Sequence, residues 1–209
     1  MRRLVIAGNG EMPEGAASII DAANCVIRFN DCRSAGTGGT RTDIVAVCNT
    51  GRPGKGMLES PAWRESAPVR AAGEIWCVRD PVKFAALRMP LSLTHPELDD
   101  FCDDYTDSFA AFARETGKRH RVIGATCQER LETELAVYAP APYVVPSSGL
   151  VVIAHVLCLP EHAEDEIILA GFGHQGWEWH PFSAERSWVE ARLDGRRLSR
   201  IETLLAVPA

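Results

Sequence analysis

The chain has 209 residues, enough for one good-sized α/β domain and cramped for two. Apolar residues make up 46% and charged residues 24%, which leaves room for a sizeable core. The net charge is −6 with no long basic run, which argues against a nucleic-acid scaffold. Seven cysteines stand singly, with no C-x-x-C pair, a pattern that fits a reducing compartment better than a disulfide framework. The start, Met1-Arg-Arg-Leu-Val-Ile, is too short for a signal h-region, and no stretch approaches a membrane span, so a cytoplasmic location is expected.

In chain order, Leu4–Ala7 reads as a buried strand that ends at Gly8-Asn9-Gly10, with a helix from Pro13 to Ala23. Residues 25–29 and 43–48 are further strands, with a Gly- and Thr-rich loop at 34–42 between them. Residues 51–56 read as another loop and 74–78 as a fourth strand. Pro96 to Thr116 gives the clearest helical spacing, through Leu98, Phe101, Tyr105, Phe109 and Phe112, with acids in its first turns. A short strand at Val122-Ile123 precedes a helix over 128–137. Leu150–Leu159 is an apolar helix, 166–170 a last strand and 183–193 a last helix. Strands alternating with helices predict a three-layer, Rossmann-like, mostly parallel sheet with helices on both faces, in a single unit over 1–209. Ligands in such folds bind at the carboxyl ends of strands, where Gly8–Gly10, Asn30 and Gly171-Phe172 would converge.

Gly8-x-Gly10 invites a dinucleotide reading, but Pro13 stands where the third glycine belongs and no acid ends the second strand. It remains either a tight turn or a loop that brings backbone amides and Asn9 near a phosphate. Asn30 suits a phosphate or a nucleotide edge, or makes an Asx turn. Arg28 either meets a carboxylate or is a solvated strand residue. Ser147-Ser148-Gly149 after Pro146 is an N-cap, and its hydroxyl and open amides can also hold an anion without a metal. The run His174-Gln-Gly-Trp177-Glu178-Trp179-His180 is dense in histidine and tryptophan; the indoles can stack on a sugar or pack beneath a loop. No partner stands beside its histidines to complete a metal site, and the acids of 99–107 contain no D-x-D on a loop after a strand. His95, His120, His155 and His162 read as surface or packing residues.

The order G-N-G, V-I-R-F-N, P-S-S-G, G-F and H-x-x-x-x-E resembles the sialyltransferases of glycosyltransferase family 29. Residues 4–10 and 26–30 are similar to the ends of that family's large motif. Residues 146–172 resemble its small motif and His180–Glu185 its very small motif. Residues 174–178 loosely resemble the short histidine–aromatic–acid motif between them. Small bacterial members, some labelled urease operon accessory proteins, are the most similar in kind. The resemblance spans about 3–50 and 143–190, and lacks the cysteine that begins the large motif of animal members, so Cys158 has no equivalent disulfide partner.

The resemblance implies a GT-A-like sialyltransferase variant that moves a nonulosonate- or Kdo-type acidic sugar from a CMP-sugar donor to a glycan or glycolipid hydroxyl. Inversion and independence of metal and cofactor follow with it. Gly8, Asn9, Gly10, Asn30, Ser147, Ser148 and Gly149 would then hold the donor nucleotide. Arg28, Trp177 and Glu178 would contact the sugar. His180 would be the base, with Glu185 orienting it or capping the following helix, and His174 donating to the departing phosphate. Two alternatives stay open: a non-catalytic accessory protein that keeps this fold, and an NAD(P)- or nucleotide-binding Rossmann domain.

Overall fold

A computed structural model describes residues 2–194 and 196–206. Seven strands form one sheet: β1 (Arg3–Ala7), β2 (Cys25–Phe29), β3 (Ile44–Val47), β4 (Glu74–Cys77), β5 (Arg119–Val122), β6 (Glu166–Ala170) and β7 (Leu198–Arg200). Their spatial order is β5-β4-β3-β2-β1-β6-β7, and every pairing is parallel. The helices are α1 (Ala16–Asp21), α2 (Gly51–Glu59), α3 (Pro61–Arg64), α4 (Ala67–Ala71) and α5 (Pro81–Thr94) in the first half. In the second half come α6 (Thr106–Glu115), α7 (Ala125–Ala136), α8 (Ser148–Cys158), α9 (Phe182–Glu190) and α10 (Ile201–Leu205).

Strand side chains alternate between two faces, and each face has its own helical cover. Leu4, Ile6, Ile27, Ala46 and Trp76 point to α7, α8 and α9, where Leu131, Val152 and Trp188 meet them. On the opposite face Val45, Val47 and Ile75 pack against Trp63, Val69, Phe109 and Phe112. Val5, Ala7 and Val26 on that face meet Ile20 of α1 and Ile201 of α10. The result is the expected three-layer parallel architecture. Because β1 lies between β2 and β6, chain connections leave it in opposite directions, and a crevice opens at the carboxyl ends of these strands.

The structure departs from the sequence-based expectation in several places. Residues 51–56, read as a loop, begin α2, because the absent side chains at Gly51 and Gly54 let this helix sit directly on the backbones of Phe101 and Asn49. The single helix expected over 96–116 is a short 3-10 turn at Pro96–Leu98, a loop, and α6. Its acids do not complement a helix dipole but fasten that loop: Asp100 pairs with Arg52 at 2.7 Å and Asp103 with Arg88 at 2.7 Å. The Gly51 amide also donates to the Asp103 carbonyl, and the Tyr105 amide to that of Asn49. The helices α3, α4, α5 and α10 and the edge strand β7 were not anticipated. His162, read as lacking a local partner, holds Asp165 at 2.7 Å from Nδ1.

Candidate functional site

The crevice at the end of β1, β2 and β6 is a cavity of about 740 Å³. The loops after these strands bring Gly8, Asn9, Gly10, Asn30, His174 and Trp177 to its wall, the start of α8 brings Ser147, Ser148 and Gly149, and the segment into α9 brings His180 and Glu185. Segments far apart in sequence thus meet in one place. Phe172 lines it as the convergence of strand ends implied, and Phe29, Arg33 and Phe182 also line it without having been expected. Two expected residues lie elsewhere. Arg28 is fully buried and donates to the carbonyls of Arg41, Gly38 and Gly39 and to the hydroxyls of Thr42 and Ser34, so it builds the 34–42 loop and does not contact a ligand in the cavity. Glu178 is exposed and is not among the residues that line the cavity.

The three glycines of the floor serve close backbone packing. A Cβ on Gly8 would stand 2.4 Å from the Gly171 carbonyl oxygen, and one on Gly10 2.7 Å from it. The amides of Gly8 and Gly10 donate to the carbonyls of Ala170 and Gly171. These two amides are therefore committed to the β6 loop, while the residues themselves still line the cavity. Asn9 keeps its ligand potential: Nδ2 donates to the Phe29 carbonyl at 3.1 Å, while its buried Oδ1 has no partner among the described residues. Asn30, in the left-handed region at φ 49, accepts from the Cys48 amide through Oδ1 at 2.8 Å.

The start of α8, expected to hold an anion, forms one wall of the cavity. The Ser147 Oγ accepts from the Leu150 amide at 3.2 Å and donates to Glu185 at 2.6 Å, while the Ser147 amide donates to the other Glu185 oxygen at 2.6 Å. The next two amides, Ser148 and Gly149, carry no partner among the described residues and border the cavity. Free N–H groups at the start of an eleven-residue helix favour an anion. Gly149 is required there, since a Cβ would stand 2.7 Å from the Phe172 ring.

His180 donates from Nδ1 to the Val145 carbonyl at 2.8 Å, since a carbonyl can only accept. The tautomer leaves Nε2 with a lone pair. Burial pushes its pKa down to about 4, the Val145 bond opposing and the Arg79 charge adding to the fall. The ring is wedged edge-on between Trp177 at 5.0 Å and Phe182 at 5.4 Å. Glu185 does not touch it: both carboxylate oxygens serve Ser147, so the orienting role expected of this residue passes to the Val145 carbonyl. Burial raises the Glu185 pKa, against its bonds to Ser147 and the Arg79 charge. His174, at φ 48, accepts from Arg200 at 3.3 Å through Nε2 and is held neutral, pushed down to about 4 by burial and then by the Arg200 and Arg186 charges.

Trp177 stacks on Phe101 at 5.4 Å, and Trp179 meets His95 edge-on at 4.4 Å, so the segment after Pro96 braces the cavity wall. All seven cysteines are free, and Cys158 is exposed. Among the described residues no three His, Cys, Asp or Glu side chains converge as a metal site, and no helix is long and apolar enough to cross a membrane.

The Rossmann-like fold matches that of a solved sialyltransferase. A mammalian sialyltransferase solved in complex with Gal-beta-1-3GalNAc-ortho-nitrophenol is similar over 95% of this chain and 68% of its own, with a TM-score of 0.54 and 16% identity. No protein-family model matches the sequence. The urease operon 23 kDa accessory protein of Rhizobium meliloti (strain 1021) is 59% identical over 200 residues, which cover 96% of this chain and 93% of that protein. The chain belongs to that accessory-protein family.

Proposed function

We propose that the cavity binds the nucleotide phosphate of a CMP-activated acidic sugar and that His180 activates an acceptor hydroxyl for transfer without a metal. The observation that carries this reading is the pairing of the open Ser148 and Gly149 amides with the free Nε2 lone pair of His180 on one cavity. The amides and the helix dipole take the phosphate; Asn9 and Asn30 take the ribose or base edge. Trp177 offers a face to the sugar, and Nδ1–H of His174 a neutral donor to the leaving group. As the acceptor oxygen attacks the anomeric carbon, its proton passes to Nε2 of His180, the bond from that carbon to the phosphate oxygen breaks, and CMP departs with inversion. An imidazole held near 4 is fully neutral at pH 7. A bound phosphate raises its basicity, since a nearby negative charge favours the imidazolium.

The name of the Rhizobium relative favours a second reading, an accessory protein without turnover, and so does the engagement of Glu185 with Ser147, which leaves His180 without a carboxylate partner among the described residues. The two separate on one experiment: incubation with a CMP-sugar donor and a galactoside acceptor, with EDTA present. The transferase reading expects product from the wild type and a loss of roughly 10²–10⁴-fold in His180→Ala. No donor consumption by the wild type leaves the accessory reading standing, and undiminished transfer by the variant removes His180 as base. The dinucleotide reading loses its support because the Gly8 and Gly10 amides are already committed.

A further inference from the structure

Three consecutive residues ahead of α8 are each held by an ionisable side chain that is distant in sequence, two from the segment 180–185 and one from the end of β4. His180 takes the Val145 carbonyl, Arg79 the Pro146 carbonyl through Nη1 at 2.9 Å, and Glu185 the amide and hydroxyl of Ser147. Arg79 lies just past β4, and its backbone is fixed on both sides by Asn49, whose Oδ1 accepts from the Arg79 amide at 2.8 Å while Nδ2 donates to the Arg79 carbonyl at 2.9 Å. Its side chain is only 2% exposed, with the guanidinium 5.2 Å from the centre of the Phe84 ring. The buried Nε has no hydrogen-bond partner, and among the described residues no carboxylate pairs with this cation. The Glu185 carboxylate is near enough for the Arg79 charge to lower its pKa, but both its oxygens serve Ser147, so the buried cation makes no ion pair directly behind the open end of α8.

We propose that Arg79 is a positioning residue for the cavity: by pinning Pro146 it fixes the Val145 carbonyl that sets the His180 tautomer and the aim of the Ser148 and Gly149 amides, and its positive charge favours an anion there. The ligand half of this inference rests on the CMP-sugar reading, whereas the histidine half does not. The surroundings of His180 keep the readout clean. Its neighbours are the rings of Trp177 and Phe182, the Glu185 carboxylate is turned to Ser147, and Arg79 is the cation that acts on it.

Nitrogen-15 spectra of the histidines, recorded on ligand-free protein across pH, test the proposal, with CMP titrations in parallel. In the wild type His180 is expected as the Nδ1–H tautomer at pH 7, titrating near about 4. Arg79→Gln keeps a donor for Pro146 but removes the charge; the midpoint should rise by roughly half a pH unit or more, and CMP affinity should fall about tenfold. Arg79→Lys keeps the charge and should restore the wild-type midpoint. A wild-type His180 protonated on Nε2, or an Arg79→Gln protein with unchanged titration and unchanged CMP affinity, overturns the proposal. If Arg79→Gln fails to fold, the wild-type tautomer and the Arg79→Lys midpoint decide alone. A wild type that ignores CMP while His180 responds to Arg79 as stated removes the donor reading and supports the positioning role.

Discussion

Ser147→Ala is the sharpest test of how the cavity is held together. Its Oγ accepts from the Leu150 amide and donates to a Glu185 carboxylate that is 1% exposed. Losing the helix cap costs about 1 kcal/mol. Losing a hydrogen bond to a buried charged group costs a further 1.5–3 kcal/mol or so. The expected loss is therefore about 3 kcal/mol, which at this chain length corresponds to a Tm roughly 7 °C lower. Urea denaturation of the wild type, Ser147→Ala, Glu185→Gln and the double variant completes the cycle, with a coupling of at least about 1 kcal/mol expected between the two positions. A loss in Ser147→Ala below about 0.5 kcal/mol, the range of an ordinary surface change, refutes the reasoning.

Acidification should destabilise the protein well above the carboxylate range. His155, His174 and His180 are each pushed down to about 4 in the folded chain, chiefly by burial, while the unfolded chain takes up their protons near 6.5. Their stabilising contribution is complete above 6.5 and falls as pH drops from 6.5 to 4, by up to roughly 1.4 kcal/mol per pH unit for each histidine. Thermal melts at pH 7 and pH 5 check this, and an equal Tm at the two values contradicts it. Arg28→Met should cost more than about 3 kcal/mol, since it strands several buried carbonyls and hydroxyls of the 34–42 loop. A urea midpoint within error of the wild type counts against the buried role of Arg28.

The sheet and most of the site were legible because their signals are local. Short apolar runs ended by glycine or asparagine mark β1, β2 and β6, and Pro146-Ser-Ser-Gly149 before an apolar run marks the start of α8. What escaped depends on partners distant in sequence. Arg79 looks like any arginine after a strand until it is seen against Pro146, sixty-seven positions away. Glu185, which belongs to the same short motif as His180, turns instead to Ser147, because the chain between them folds into the first turn of α9. The heptad-like spacing of 96–116 misled for the same reason: Phe101 is drawn out of helical register to stack on Trp177, while Phe109 and Phe112 keep their places on Trp63. The glycines of Gly8-Asn9-Gly10 are needed for packing against Gly171, a requirement that a fingerprint search reads as a ligand loop.

If this cavity is a metal-free site for a cytidine phosphate, a calorimetric titration in EDTA with CMP, UMP, NAD and ATP will show it. The account predicts saturable binding of CMP, roughly 1 μM to 1 mM in Kd, tighter than each of the others and abolished by Gly149→Ala through displacement of the Phe172 ring. Absence of CMP binding at millimolar concentration, or a preference for NAD, contradicts it.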